Sequence, residues 1–178
     1  MKVLIKSIAL APLLLTAAFN ASAKEGGDQY PNGAETFMSG AIPPPGNYFI
    51  NYAGYYDGTL HDPNGNEIVG PLKRKIEVSA IWDTLRLVHV SDTLMLGGNL
   101  VFHAILPIVQ QNIEVFGMDN KVTGIADATI APAIAWHTPN YHAVAGMDVL
   151  LPTGKYDVNK PFKNIGTNYY SFEPFAAI

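Results

Sequence analysis

Cysteine is absent from the chain, and charged residues are few. Without cysteine there is no disulfide bond, thiolate metal site, catalytic thiol or cysteine-linked lipid anchor. Charged residues make up 15% of the sequence, against roughly 25% in ordinary globular domains, whereas hydrophobic residues make up 48%. This composition indicates that something other than water solvates part of the protein's outside.

A long hydrophobic run is also missing. The apolar run from Ile8 to Phe19 is shorter than the roughly 20 residues that a membrane-spanning helix needs. It follows Lys2 and Lys6 and precedes Ala21-Ser22-Ala23, which is the layout of a cleavable secretory signal. We therefore predict a signal peptide at residues 1–23, export from the cytoplasm and no membrane-spanning helix.

An excess of basic residues is absent as well. The chain has 11 basic and 15 acidic residues, and two of the lysines lie in the predicted signal. The mature protein, predicted to start at Lys24, therefore has a net charge near 9 − 15 = −6. A negatively charged protein is repelled by phosphate backbones, so nucleic acid is not expected as a partner.

Beyond a turn-rich leader at residues 24–46, apolar and polar residues alternate with period two, which predicts β-strands. The runs are longer than the 5 or 6 residues typical of soluble strands and suit the about 9 to 11 residues that cross a bilayer. In the second run the apolar positions change parity, which predicts a β-bulge near Asp83 or Thr84. Six runs are predicted, at residues 47–57, 76–87, 96–108, 126–137, 141–151 and 168–173.

The connections between the runs alternate in length. They are long at Gly58–Leu72, short at Ser91–Met95, medium-long at Gln111–Lys121, short at Thr138–Asn140 and long at Thr153–Thr167. Short periplasmic turns and longer outer loops are typical of outer-membrane barrels, in which every backbone group is paired inside the protein. We predict an all-β antiparallel transmembrane barrel within residues 47–178. About six strands are fewer than the eight of the smallest single-chain barrels, so the chain is expected to be a fragment.

In such a barrel the apolar sides of the strands are expected to touch lipid, at positions that include Tyr48, Val78, Phe102, Ile134 and Val149. Charged and histidine side chains are expected to face the lumen, because a charge on the lipid face costs a few kcal/mol. They form either a polar lining or gate, or an inert set of ion pairs. Arg86 faces inward only if the predicted bulge exists. The lumen candidates are Asp83, Arg86, His103, Asp127, His137, His142, Asp148 and Glu173.

Two further groups suggest binding chemistry. His137 and His142 flank a turn and are predicted cross-strand partners, but a structural zinc site needs four ligands and a catalytic one three, and no third is evident. A metal site is therefore not predicted. Lys73, Arg74 and Lys75 lie at the outer end of the second run, where they form either a contact for lipopolysaccharide phosphates or an ordinary solvated rim.

Other chemistry finds little support in the sequence. The stretch from Asp62 to Asn66 is read as a turn, because it lacks the spacing of a calcium loop. No Gly-x-Ser-x-Gly elbow and no pair of carboxylates on one strand is evident, so no catalytic residue and no cofactor is predicted.

Several motifs resemble the family named for the meta-pathway of phenol degradation. They are Tyr30-Pro31-Asn32-Gly33-Ala34-Glu35, Pro43-Pro44-Pro45-Gly46-Asn47-Tyr48-Phe49, Leu96-Gly97-Gly98, Ala135-Trp136-His137, Leu151-Pro152-Thr153-Gly154-Lys155-Tyr156-Asp157 and Asn168-Tyr169. The resemblance implies an outer-membrane barrel distantly similar to the fatty-acid and aromatic-hydrocarbon channels, with members usually longer than this chain. It carries no catalytic residues. By analogy with those channels, the leader would plug the lumen, and the strand at Pro132 could open the wall sideways.

These observations predict an outer-membrane channel or transporter for small hydrophobic, aromatic compounds, in contact with lipid and lipopolysaccharide. Two alternatives remain open. One is a barrel enzyme acting on envelope lipids, with His103, His137 or His142 as base. The other is a structural or adhesive surface barrel.

Overall fold

A computed structural model describes residues 39–178, so the predicted signal peptide and most of the leader lie outside the described residues. These residues form one antiparallel sheet, which confirms the predicted all-β class. Its strands are β1 (Gly46–Thr59), β2 (Ile76–Met95), β3 (Gly98–Val115), β4 (Met118–Ile125), β5 (Ala128–His137), β6 (His142–Leu151) and β7 (Ser171–Ala177). In residues 39–178 no helix is long and apolar enough to span a membrane.

The strands are hydrogen-bonded in the order β1-β2-β3-β5-β6-β7, and β4 pairs with β3 beside this path. β3 therefore has two partners on one edge. Its first half, Asn99–Ile105, pairs with β5, and its second half, Ile108–Val115, pairs with β4. Within the described residues β1 and β7 each pair with one neighbour, so the sheet is open.

β4 is a seventh strand at the connection that the sequence predicted as a medium-long loop. Residues 111–115 continue β3, and the chain reverses at Phe116 and Gly117, which both have positive φ. The β2–β3 connection has the same form at Leu96 and Gly97, so the predicted turn at residues 91–95 is wrong and these residues belong to β2. Positive φ at both central positions suits a two-residue hairpin turn, and glycine adopts it at no steric cost.

The predicted bulge near Asp83 and Thr84 is also wrong. β2 keeps one continuous register with β3 from Ile76 to Val90 and with β1 from Glu77 to Val90, and the irregularity falls between Val90 and Leu94. The change of parity in the sequence arises because this part of β2 is apolar on both faces. Val90 is buried on one face, whereas Leu87 is 59% exposed on the other.

One face of the sheet carries the core, and we call it the inner face. Its buried residues are Val88, Val90, Val101, Ala133, Ala135 and Val144. Ile42, in the segment that precedes β1, packs against this cluster. Gly40 of the same segment lies so close to β6 and β7 that a Cβ there would be 2.9 Å from the His142 carbonyl oxygen.

The opposite face, which we call the outer face, exposes large apolar side chains. They are Phe49, Leu87, Phe102, Ile108, Ile130, Met147 and Phe172. The register corrects two expectations. Tyr48 pairs with Val88, and Val78 has the same parity as Val88 in β2, so both lie on the inner face, away from Phe102. The Tyr48 hydroxyl donates to the Pro44 carbonyl at 2.7 Å. Parity within single strands did not reveal this, because it does not relate the faces of different strands.

Candidate functional site

A buried polar cluster lies on the inner face, at the middle of the sheet. His103 of β3 pairs with Ala131 of β5, and the small alanine lets the imidazole reach across β5 to Asp148 of β6. The distance from His103 Nε2 to Asp148 Oδ1 is 2.8 Å. The His103 and Asp148 side chains are only 9% and 8% exposed, so this contact is shielded from solvent.

Arg86 of β2 completes the cluster on the other side of the imidazole. Its Nη2 lies 3.0 Å from His103 Nδ1, and its Nη1 lies 3.4 Å from the Tyr52 hydroxyl. A guanidinium only donates, so Nδ1 must accept, and the imidazole hydrogen is on Nε2, from which it is donated to Asp148. The hydrogen bonds therefore run in one direction, from a cation through a neutral imidazole to a carboxylate.

Two residues of β7 border this cluster. Phe175 stacks on the His103 ring with centroids 6.3 Å apart and planes inclined by 13°. Glu173 pairs with Asp148 in the β6–β7 register, so a second carboxylate lies on the same face. Arg86, His103, Asp148 and Glu173 were all lumen candidates, and Arg86 reaches this face without the bulge.

The sheet is interrupted beside the cluster. β5 pairs with β6 up to Ile130 and again from Ala133, in the same register, but Ala131 and Pro132 are not paired with β6. Proline has no N–H to donate to the ladder. An apolar cavity of about 590 Å³ lies on the other side of Pro132, over β1, β2, β3 and β5, and its lining includes Phe102, Pro132 and His103 but no residue of β6. Most of its lining residues belong to the outer face.

A comparison with known protein families matches residues 58–178 to the family described as "Putative MetA-pathway of phenol degradation". The chain belongs to this family. The match covers more than half of the chain and confirms the resemblance of the motifs. The family name associates the protein with phenol degradation. Searches of curated proteins and of solved structures found no significant match.

The stretch of this family member that begins at Leu151 forms a loop fastened by Asp127. The carboxylate accepts from the Gly154 amide at 2.8 Å and from the Thr167 amide and hydroxyl at 2.7 Å each. Gly154 and Gly166 touch, since a Cβ on Gly166 would lie 2.8 Å from Gly154 Cα. Asp127 was predicted on the polar face of a strand, but it precedes β5 and holds the loop, because its oxygens meet amides there.

The structure separates the other lumen candidates from the cluster. Asp83 lies on the outer face, because β2 has no bulge, and it accepts a hydrogen bond from Asn51. His137 and His142 are cross-strand partners, as predicted, at the ends of β5 and β6. Among residues 39–178 no group of three or more histidine, aspartate or glutamate side chains is arranged to hold a metal ion.

The three cations at the start of β2 have different surroundings. Lys75 Nζ lies 2.7 Å from Glu67 Oε1, and this bond raises the pKa of Lys75 and lowers that of Glu67. Arg74 donates to the Phe116 carbonyl at 3.4 Å. Lys73 is exposed in a one-turn 3-10 helix. The site at which lipopolysaccharide was expected therefore holds one cation paired with a carboxylate.

The loop from Asp62 to Asn66 is the turn that the sequence predicts. Asp62 Oδ1 accepts from the Asn64 amide at 2.9 Å and the Asn66 amide at 2.8 Å. These bonds, led by those of Asn66, lower the pKa of Asp62. Hydrogen-bond donors of the same loop surround the Asp62 carboxylate, so its role is to stabilise this turn.

Sequence reasoning missed Tyr52 and Phe175 as members of the cluster. Tyr52 shares its parity with Tyr48 and Ile50, and Phe175 continues the alternation of the last run, so both signals were present. Neither signal indicates a contact, because each residue reaches the cluster only when its strand is aligned with its neighbours.

Proposed function

We propose that this protein forms part of the wall of an outer-membrane channel for small hydrophobic, aromatic compounds. In this proposal the outer face contacts lipid and the inner face lines the path of the solute. The observation that carries it is the distribution of charged and apolar side chains, which is the reverse of that in a soluble sheet. The charged groups Arg86 and Asp148 lie on the core-bearing face, whereas Phe102 and Phe172 are 48% and 66% exposed on the other.

This distribution favours lipid over water as the solvent of the outer face. Soluble monomers rarely expose contiguous apolar patches, and strands in hydrocarbon alternate lipid-facing apolar with interior polar residues. The strand lengths agree with this, since β1 has 14 residues and β3 has 18. At about 3.3 Å per residue, tilted strands of that length cross a hydrocarbon core of about 30 Å.

Two features support the exit of an apolar solute through the wall. The cavity beside Pro132 lies on the outer face and is lined by Phe102 and Ile130, and burial of an aromatic ring there contributes about 25 cal/mol per Å² of apolar surface. The missing β5–β6 pairing at Pro132 offers a sideways opening in the wall, on the edge of β5 opposite to this cavity. The segment with Ile42 packs on the inner face, as the end of a plug would.

The proposal is tested by expressing the full chain in a Gram-negative host that lacks other aromatic channels. We expect the protein in the outer-membrane fraction and faster uptake of micromolar labelled phenol than in cells with an empty vector. Uptake of a sugar of similar mass is the control and should not change. Recovery of the protein from the periplasm as a detergent-free monomer would contradict the proposal.

A further inference from the structure

The hairpin between β5 and β6 holds two imidazoles in fixed positions. His137 ends β5 and His142 begins β6. The turn between them is closed by Thr138, whose amide donates to the Tyr141 carbonyl at 3.0 Å. The Thr138 hydroxyl oxygen also accepts from the Tyr141 amide at 3.1 Å. The backbone therefore positions both rings before any ligand arrives.

The two rings approach each other through the same type of atom. His137 Nδ1 and His142 Nδ1 are 2.9 Å apart, and the ring centroids are 5.2 Å apart. A neutral imidazole has one donor and one acceptor nitrogen, so one Nδ1 donates and the other accepts. Both side chains are exposed, so a solute has access to this pair.

The separation of the two nitrogens, which their hydrogen bond sets here, also matches that of two adjacent ligands of one metal ion. Metal–imidazole bonds are about 2.0 to 2.1 Å long, so two ligands at a right angle are about 2.9 Å apart, and tetrahedral ligands about 3.4 Å. Square-planar and tetragonal nitrogen sites are those of Cu(II) and Ni(II), and Cu(II) binds most tightly of the divalent first-row metals. Two protein ligands suffice for an exposed site of this kind if water occupies the remaining positions.

We propose that His137 and His142 bind one tetragonal divalent metal ion, Cu(II) in preference to Ni(II) and Zn(II), through their Nδ1 atoms. The donating ring moves its hydrogen from Nδ1 to Nε2 by exchange with solvent, so both rings bind the ion as neutral imidazoles and no net proton is released. The other three histidines have different partners: His61 is bonded to Thr59, His89 to Asn47 and His103 to Arg86 and Asp148. This inference does not depend on the proposed transport function.

The test uses the purified full chain in detergent, without a histidine affinity tag, and CuCl₂ as the probe. We expect one bound ion per chain and an axial electron paramagnetic resonance spectrum with hyperfine coupling to two nitrogens. His137→Ala and His142→Ala should each weaken binding roughly a hundredfold, because chelation by the second ring is lost. Far-ultraviolet circular dichroism checks the folding of each variant.

His61→Ala and His89→Ala are the matched controls and should bind copper like the unmodified chain. Two outcomes would overturn the proposal. One is copper binding of equal strength in the His137→Ala and His142→Ala variants. The other is coupling to a single nitrogen in the unmodified protein. Zinc binding tighter than copper binding would overturn the tetragonal geometry.

Discussion

His103 Nε2 lies 2.8 Å from Asp148 Oδ1, although the two residues are 45 positions apart and β5 lies between their strands. The contact exists because the intervening residue is Ala131, which is 3% exposed and too small to separate them. It buries a carboxylate whose charge is balanced through the imidazole by Arg86.

Asp148→Ala should destabilise the protein by about 1 to 3 kcal/mol, because it leaves the largely buried His103 N–H without its acceptor. Asp92→Ala is the control. Asp92 is exposed near the end of β2, and its removal should change the free energy of unfolding far less. Urea unfolding of the two variants in the same detergent measures the difference. Equal effects would contradict the assignment of the buried network.

Phe102→Arg should prevent stable insertion into the outer membrane. An arginine on a lipid-facing strand costs about 2 to 4 kcal/mol near the midplane. The matched control is Phe162→Arg, because Phe162 is 45% exposed and Phe102 48%, but Phe162 lies in a short 3-10 helix between β6 and β7. Membrane fractionation and heat-dependent gel mobility compare the two. A normal level of Phe102→Arg in the membrane would contradict a lipid-facing outer face.

Pro132→Val should close the interruption between β5 and β6, because valine restores the N–H that the ladder lacks. We expect a gain of about 1 kcal/mol in stability and severalfold slower uptake of the aromatic solute. Pro174→Val is the control, since Pro174 already pairs with Met147 in the β6–β7 register. If uptake by the Pro132→Val variant equals that of the unmodified protein, the wall does not open there.

Asp127→Ala should release the loop between β6 and β7 from the sheet. The Gly154 and Thr167 amides lose their acceptor, which costs about 1 to 3 kcal/mol if they remain buried. Faster hydrogen exchange at these two amides and faster proteolysis of the loop measure the release. Asp157→Ala is the control in the same loop, because its carboxylate bonds the Asn159 amide and Lys160. In the Asp157→Ala variant, faster proteolysis should be confined to residues 157–164.

The turn at Asp62 should loosen in acid. The amide of Asn66, first among several donors, holds the pKa of Asp62 below the ordinary value of 3.8. The stabilising effect is therefore fully present above pH 3.8 and is lost as the pH falls through the lower folded-state pKa. Nuclear magnetic resonance shifts of the Asn64 and Asn66 amides follow this loss. Asp62→Ala should abolish the transition, and a transition that persists would assign it to another group.

The alternation of apolar and polar residues was sufficient to predict where the strands lie, but not which side chains lie on which face of the sheet. Strict period two predicted β1, β5 and β6 closely, because each strand exposes one side. It failed in β2, where Leu87 and Val88 are both apolar on opposite faces, so parity carried no information. It also missed β4, since the turn at Phe116–Gly117 contains a bulky residue that rarely adopts positive φ.

The candidate site was predictable only in part. Arg86, His103, Asp148 and Glu173 stood out as charged or titratable residues in apolar strands, where such groups are rare. Their assembly depends on the alignment of β2, β3, β6 and β7, and on the small Ala131 between two of them. Asp127, like Asp148, is a single aspartate in an alternating apolar run. It holds a loop instead of joining the cluster, because the amides of Gly154 and Thr167 donate to its carboxylate.

Composition and period-two alternation, which are local properties, determined by themselves that this protein is an antiparallel β-sheet, short of charge and apolar on one side of most strands. Only the tertiary structure decided which side is inner, which residues meet across the sheet and where the ladder is interrupted. The physical reason is register. Each backbone hydrogen bond between strands joins residues that are distant in sequence, and a shift of one residue moves every side chain to the opposite face.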